Sequence, residues 1–460
     1  MSVVDVIVVG GGIAGLSVGY ELHRRGVRFA IFERASRAGG VIFSEEVDGF
    51  TIDAGPDSLL TQKPEALSLC QELGLGSRLV STKPPRLAYI QRDGHLHPLP
   101  AASVLGVPTA FGPFIKTQLF SAAGKLRMGA ELFVPPRRDG RDESIGAFIG
   151  RRFGREAVTY LAEPLLAGIH AGDVHRLSMQ ALFPRFVHAE RTHGSVLWTF
   201  RRHAGAPTDA DGAFRSLPGG LSEMVRALVD KLPAGAICVN ATVTKVGAAA
   251  GSFRLETATG SALDARAIVF ATPAYVTSEL VRGLDAELAR LCGEIPYAST
   301  ATIALGFPRD HVGHPLEGSG FVVPRVERSG ILAASWLSSK WPHRAPDDRA
   351  LLRTFVGGAR DPWALSDSDD ELIDRSLRAL TPLLDIRGEP QLARVYRFDR
   401  ANAQHEVGHL ARLEAIERAL ARHAGVFVTG SGFRGTGIPD CVADGRATAA
   451  RVARHLGIVD

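Results

Sequence analysis

Val3-Val4-Asp5-Val6-Ile7-Val8-Val9-Gly10-Gly11-Gly12-Ile13-Ala14-Gly15 is the stretch whose reading decides the fold. Its apolar run, broken only by Asp5, reads as a strand buried on both faces, as in a parallel sheet. Ile13, Leu16 and Tyr20 then recur at helical spacing until Gly26, and Val27 to Phe32 supply a second strand. In a strand, glycine turn, helix, strand unit, Gly10 permits the tight turn and Gly12 lets backbone approach a pyrophosphate. Gly15 lets the helix pack close to the strand, so that Ile13 and Ala14 open a helix whose N-terminus can hold phosphates. Glu33, at the tip of the second strand and about 20 residues on, is placed to accept a ribose hydroxyl pair. Arg34 beside it suits a 2′-phosphate, so the residues alone leave FAD and NAD(P) both open.

The chain has 460 residues, enough for two or three domains. A net charge of +4 with interleaved signs points away from nucleic acid and from acidic polymers. Cys70, Cys238, Cys292 and Cys441 lie far apart with no CxxC, which fits a reducing compartment such as the cytoplasm. The first apolar run is cut short by glycines, and no other run approaches the roughly 18 residues that cross a bilayer.

Two more glycine-rich loops follow closely, Arg37-Ala38-Gly39-Gly40-Val41 and, past a hairpin at Asp48-Gly49, Ala54-Gly55-Pro56-Asp57-Ser58. They suggest backbone meeting a long ligand again. Ser144 is expected to cap a helix through Phe153. Further on, Ile237–Val239, Thr242–Val246, Phe253–Thr257 and Ala267–Ala271 read as strands, as do Ser299–Leu305, Gly320–Pro324, Gly330–Trp336 and Leu351–Val356. Helices are expected over Asp369–Leu384, Leu410–His423 and Cys441–Leu456, the last with Pro439 and Asp440 in its first turn. The preceding Val426-Phe427-Val428-Thr429-Gly430 is another buried strand. If the Gly437 and Ile438 amides point out from that last helix, they set partial positive charge against an electron-poor ring.

These motifs resemble the flavin-containing amine oxidase superfamily. More closely, Gly55-Pro56-Asp57-Ser58, Glu163-Pro164-Leu165-Leu166-Ala167-Gly168-Ile169-His170-Ala171-Gly172-Asp173 and Gly435-Thr436-Gly437-Ile438-Pro439-Asp440-Cys441 look like the oxygen-dependent porphyrinogen oxidases. Pattern and resemblance together imply an α/β chain with a discontinuous Rossmann-like FAD-binding domain, an α+β substrate domain and a helical lobe. The expected divisions are residues 1–84, 213–290 and 420–460 for FAD, 85–100 and 291–419 for substrate, and 101–212 for the lobe.

The implied reaction removes six electrons from protoporphyrinogen IX or coproporphyrinogen III in haem biosynthesis, with O2 as acceptor and H2O2 as by-product. The chemistry is centred on the flavin, with no catalytic side chain expected. The resemblance adds Val41, Gly55, Pro56, Asp57, Ser58, Val243, Phe398 and Thr436 to the FAD contacts, where Phe398 and Thr436 replace a common tryptophan and valine. For the substrate it implies Arg86 as a propionate partner and Lys63 as a second cation, Gly168 in the segment facing the pyrrole nitrogens, and Phe321 and Val322 as contacts in the strand that sandwiches the macrocycle. Ser319 departs from the aromatic residue of animal members. Arg86 looks like the protoporphyrinogen type, whereas Pro113–Gly124 and Trp341-Pro342-His343 look like the coproporphyrinogen type. The lobe rests on a membrane in several relatives.

Other readings remain on sequence alone. An amine oxidase or a carotenoid desaturase would share the scaffold, and a flavin-binding sensor would share the cofactor. His405-Glu406-Val407-Gly408-His409 fits the zinc-protease spacing, but Gly408 weakens the helix that motif needs and no third ligand is evident.

Overall fold

The computed structural model describes residues 4–100, 103–104, 107–108, 111–203, 211–249 and 251–458. At its centre lies β1 (Val6–Val9), flanked by β2 (Phe29–Phe32) on one side. The sheet is completed by β3 (Ile237–Cys238), β4 (Ala267–Phe270) and β5 (Val426–Val428), in the order β3-β2-β1-β4-β5 with every neighbour parallel. Strands drawn from the start, middle and end of the chain therefore form one sheet. Val6 and Val8 pack into one apolar cluster and Ile7 and Val9 into another on the opposite face. That double burial is why the run shows no polar alternation.

Helix α1 (Ile13–Arg24) and the last long helix, α2 (Ile438–His455), lie together over the first of those clusters. Leu16 and Val452 are fully buried there. Side chains of that size contribute about 1.5–3 kcal/mol each. Gly445 makes the close approach feasible, because a Cβ at that position would press on the Ala14 carbonyl and the Ser17 side chain.

A larger, mainly antiparallel sheet runs in the order Leu392–Ala403, Tyr297–Pro308, Arg349–Gly357, Ala333–Trp336, Gly320–Val322, Tyr89–Arg92, His95–Pro98. Gly320–Val322 and Tyr89–Arg92 form its one parallel pair among the described residues. A smaller antiparallel sheet, Val243–Ala249, Ser252–Thr257 and Ala262–Ala265, packs on the second cluster.

The helices Ala122–Gly129, Ile145–Phe153, Pro184–His193 and Val196–His203 gather around buried Phe148, Phe153 and Phe186. Ser144 caps its helix as expected, its hydroxyl accepting from the Ala147 amide at 3.1 Å. Inside this lobe Arg152 and Glu131 are both fully buried and paired, and the carboxylate also accepts from the Ser195 hydroxyl and the Val196 and Leu197 amides.

Element bounds differ from expectation in instructive ways. The last helix starts at Ile438, three residues earlier than Cys441, because Pro439 and Asp440 occupy its first turn. The helix expected over Leu410–His423 runs over His409–Leu420. Asp369–Leu384 is helical as expected, with a capping box between Ser368 and Glu371. The strands Tyr89–Arg92, His95–Pro98 and Leu392–Ala403 have no counterpart among the expected elements.

Candidate active site

Along the carboxyl end of β1 the chain turns at Gly10, whose φ of +105° suits glycine alone. A Cβ there would strike the Ala271 carbonyl at the end of β4, and one on Gly15 would collide with the Gly10 carbonyl. Gly12 is the opposite case. It is the extended N-cap of α1, and a Cβ on it would meet no protein atom within 4 Å. Open space thus stands beside Gly12 at the start of α1, where the first-turn amides of Ile13, Ala14 and Gly15 lack intrahelical acceptors. Glu33 closes the turn, its carboxylate accepting the Gly11 amide at 2.7 Å and the Ala35 amide at 2.8 Å. Arg34 is exposed. The segment leading to Val243 runs beside them, the Ala241 amide donating to the Glu33 carbonyl at 2.9 Å. Glycine turn, helix start and acid therefore fit a dinucleotide with its pyrophosphate over Gly12 and its ribose at Glu33.

The second glycine loop is docked on the first. Gly39 donates to the Gly11 carbonyl at 2.8 Å. Arg37 organises the loop by donating to the carbonyls of Ala38, Gly40 and Ile42, with its guanidinium 4.6 Å from the Phe43 ring centroid. Five donors on one fork explain why arginine is used here, a role its place in the glycine motif does not reveal.

Gly55 packs against the Val41 carbonyl and the Phe398 ring, which joins three residues expected at the cofactor. The loop's backbone is clamped from the large sheet. Arg353 donates to the Gly55 carbonyl at 2.8 Å, and the Thr302 hydroxyl donates to the Ala54 carbonyl at 2.7 Å. After Pro56, the Asp57 carboxylate points into the protein, where it meets Lys340 at 2.9 Å, the Trp341 indole N–H at 3.2 Å and Arg353 at 3.4 Å. Burial by itself would raise its pKa, yet Lys340 and Arg353 hold the carboxyl well below the usual range. Ser58 donates its hydroxyl to the same carboxylate at 3.0 Å. Nothing local in the sequence linked Asp57 to Lys340, 283 residues away.

At the far end of the chain, the turn after β5 reaches the start of α1, with Gly430 against the Ala14 side chain. Asp444 holds the near half of this turn through the Thr429 hydroxyl, the Gly430 amide and the Arg434 guanidinium. Thr436 pairs with the His170 Nδ1 at 3.2 Å. The Gly437 amide is turned back onto the Asp440 carboxylate at 3.3 Å rather than lying free, and Ile438 is buried. Asp440 also takes Lys63 at 2.7 Å, so Lys63 stands at the start of α2 as half of an ion pair.

The residues expected at the substrate are distributed more widely. A π-helix over Val158–Ala167 leads into a tight turn at Gly168–His170. Arg360 bridges this segment to the large sheet, donating to the carbonyls of Glu163 at 3.3 Å and Val323 at 2.9 Å. Arg86 lies beside Gly212, with Nε donating to the Thr82 carbonyl at 3.3 Å. Phe321 and Val322 do not share a face. Phe321 is 2% exposed within the core of the large sheet, whereas Val322 packs against the lobe. Adjacent strand residues point to opposite sides, so the two expected contacts cannot both face the lobe: of the two, Val322 alone does.

His405-Glu406-Val407-Gly408 is not helical. Gly408, with φ +90°, is the N-cap of the helix that begins at His409. Glu406 pairs with Arg176, and the Nε2 atoms of His405 and His409 each stand 2.9 Å from a backbone carbonyl. The arrangement is not that of a zinc-protease helix, in which both imidazoles and the glutamate face one metal.

The flavin containing amine oxidoreductase profile matches residues 13–453. The chain belongs to this family. Its cofactor is FAD, for which the cradle at Gly10–Gly15 and Glu33 is suited. Coproporphyrinogen III oxidase of Bacillus subtilis (strain 168) is 34% identical over 98% of both chains. The chloroplastic protoporphyrinogen oxidase of Nicotiana tabacum is 29% identical over 98% of this chain and 86% of its own. A crystal structure of a homologue from Exiguobacterium sp. 255-15 superposes with a TM-score of 0.88 at 31% identity, covering 99% of this flavin oxidoreductase and all of the other chain.

Proposed function

We propose that this flavin oxidoreductase oxidises a porphyrinogen to the porphyrin in haem biosynthesis, with coproporphyrinogen III as the preferred substrate. The observation that carries the reading is near-complete alignment with a coproporphyrinogen III oxidase, 34% identical over 98% of each chain. Cyclohexylamine oxidase of Brevibacterium oxydans shares the scaffold at only 17% identity. Bound FAD supplies the hydride-accepting chemistry. The chain's own residues orient and enclose: the turns at Gly10–Gly15, Val41, Gly55–Ser58 and Thr436–Ile438, with Val243 and Phe398, hold the cofactor. Residues 1–84, 213–290 and 420–460 make up that unit. Gly168 and Val322 border the slot for an apolar macrocycle, with Arg86 and Lys63 as cations for its propionates. The balance is porphyrinogen plus three O2 to porphyrin plus three H2O2, six electrons and six hydrogens leaving in three rounds.

Purified protein should be yellow and should generate porphyrin fluorescence and peroxide aerobically, faster with coproporphyrinogen III than with protoporphyrinogen IX. A colourless protein that gains no flavin absorbance on adding FAD would end this reading.

Among the described residues no helix is long and apolar enough to cross a membrane. Peripheral contact through the lobe is supported by exposed Ile115, Leu126 and Phe133, at 66%, 78% and 86%, close in sequence to exposed Lys116 and half-buried Lys125. Co-flotation with anionic vesicles, reduced in the Leu126→Ser/Phe133→Ser variant, tests that contact.

A further inference from the structure

His405 and His409 are 2% and 1% exposed and stacked, with ring centroids 3.8 Å apart and planes within 10°. Each presents Nε2 at 2.9 Å to a backbone carbonyl of the turn after β5, His405 to Ser431 and His409 to Phe433. A carbonyl only accepts, so Nε2 carries the proton in both rings and Nδ1 keeps a lone pair. The His409 Nδ1 is buried with no hydrogen-bond partner. A third imidazole meets the same turn, His170 Nδ1 at the Thr436 hydroxyl, and the carbonyl of His170 is held by the Gln404 side chain at 2.9 Å. Residues 431, 433 and 436 are thus each engaged by an imidazole, while Asp444 holds only 429, 430 and 434.

We propose that His405, His409 and His170 are positioning residues, a three-ring brace that fixes the Ser431–Thr436 turn in the conformation FAD requires. The proposal rests on the FAD site described above. It gives these side chains a task that neither a metal nor the reaction itself demands. Stacked rings that each donate to a different carbonyl of one turn fix its path at two points, which a single cap would not. The segment carrying them is anchored on the lobe as well: the Ser178 amide donates to the His405 carbonyl at 2.8 Å, and the Gly408 amide to the Asp142 carboxylate at 3.2 Å.

The groups facing the brace are few. His405 faces His409 and His170, His409 faces Arg412 and Asp142, and His170 faces Lys63 and Asp440. A second proton on either stacked ring would set a cation against its neighbour with no acceptor at the His409 Nδ1.

The test uses the full chain reconstituted with FAD. His405→Phe and His409→Phe keep a flat ring but leave a buried carbonyl unpaired; His405→Gln and His409→Gln keep an N–H donor. The Phe variants should bind FAD about tenfold more weakly, a loss expected when a buried acceptor is orphaned. They should also shift the flavin absorbance and its reduction potential, and the Gln variants should restore both. As an independent readout, wild-type protein should release FAD on acidification, and the Gln variants should release it at lower pH. If Phe and Gln variants match wild type in affinity, spectrum and potential, the brace is overturned. If the Phe variants do not fold, Gln variants that release FAD at the wild-type pH overturn it equally. Wild-type protein that binds no FAD would instead defeat the functional reading beneath it.

Discussion

The Glu33 carboxylate accepts the Gly11 amide at 2.7 Å, so the acid ending β2 and the turn following β1 form a single unit. The acid is held by the turn it serves, and its second oxygen takes the Ala35 amide. Glu33→Ala should therefore weaken FAD by about 1.5–3 kcal/mol, the range for a lost charge-assisted hydrogen bond. Glu33→Gln, which keeps one acceptor oxygen, should fall between. Quenching of flavin fluorescence on titration gives the affinities, and an unchanged value for Glu33→Ala would remove the acid from the site.

Two glycines in the same turn should fail in different ways. A methyl on Gly15 strikes the Gly10 carbonyl, so Gly15→Ala should cost about 1–3 kcal/mol of stability by overpacking. A methyl on Gly12 enters space that no protein atom occupies, so Gly12→Ala should unfold with the wild-type denaturant midpoint yet retain little FAD. Urea denaturation of the FAD-free proteins beside flavin content after gel filtration separates the two effects.

That contrast also marks how far the sequence could be read. The unit from β1 to Glu33 was legible because its chemistry is local: an apolar run, three glycines at fixed spacing, and an acid. The helix Asp369–Leu384 was legible for the same reason, its Ser368 and Glu371 cap lying three residues apart. The strand Leu392–Ala403 was hidden because it is the edge of its sheet, half-exposed and carrying Arg394, Arg397, Asp399 and Arg400. Tyr89–Arg92 and His95–Pro98 form a hairpin around Asp93-Gly94, a local signal the sequence does carry; what had no local trace is the pairing of Tyr89–Arg92 with Gly320–Val322, more than 200 residues away. At the site, the motif containing Asp57 was readable, but not that its carboxylate turns inward to Lys340 and Arg353. Phe321 was misplaced for want of knowing which face of its strand meets the lobe.

Asp57 carries the next expectation. It is buried, and removing its charge leaves Lys340 and Arg353 without their shared partner. Asp57→Asn should destabilise the fold by about 3–5 kcal/mol, as when one member of a buried pair is lost. Its carboxyl is held below the ordinary range in the folded state despite burial, so its contribution is present above the unfolded carboxylate pKa and fades as pH falls. The wild-type minus Asp57→Asn difference in unfolding free energy should shrink from pH 7 towards pH 3; a constant difference would show that packing, not charge, is responsible.

Histidines set an opposite ionisation against the same acid limb. Burial, with His409 adding to it, holds the His405 pKa down at about 3, and burial with Lys63 holds His170 at about 4; His409 is lowered as well, chiefly by burial. The unfolded chain takes up these protons near pH 6.5, whereas the folded chain resists them until well below. More protons bound in the unfolded state means that stability rises with pH across this window. It is fully present above about 6.5 and is lost as pH falls towards 4, by up to about 1.4 kcal/mol per pH unit for each differing proton. Chemical denaturation of the FAD-free chain at pH 8, 7, 6 and 5 should give a flat upper limb and a steep fall below pH 6.5. His405→Gln should flatten that fall, since one differing proton is removed; an identical slope would mean that the imidazole at position 405 titrates alike in both states and is not held neutral by the fold.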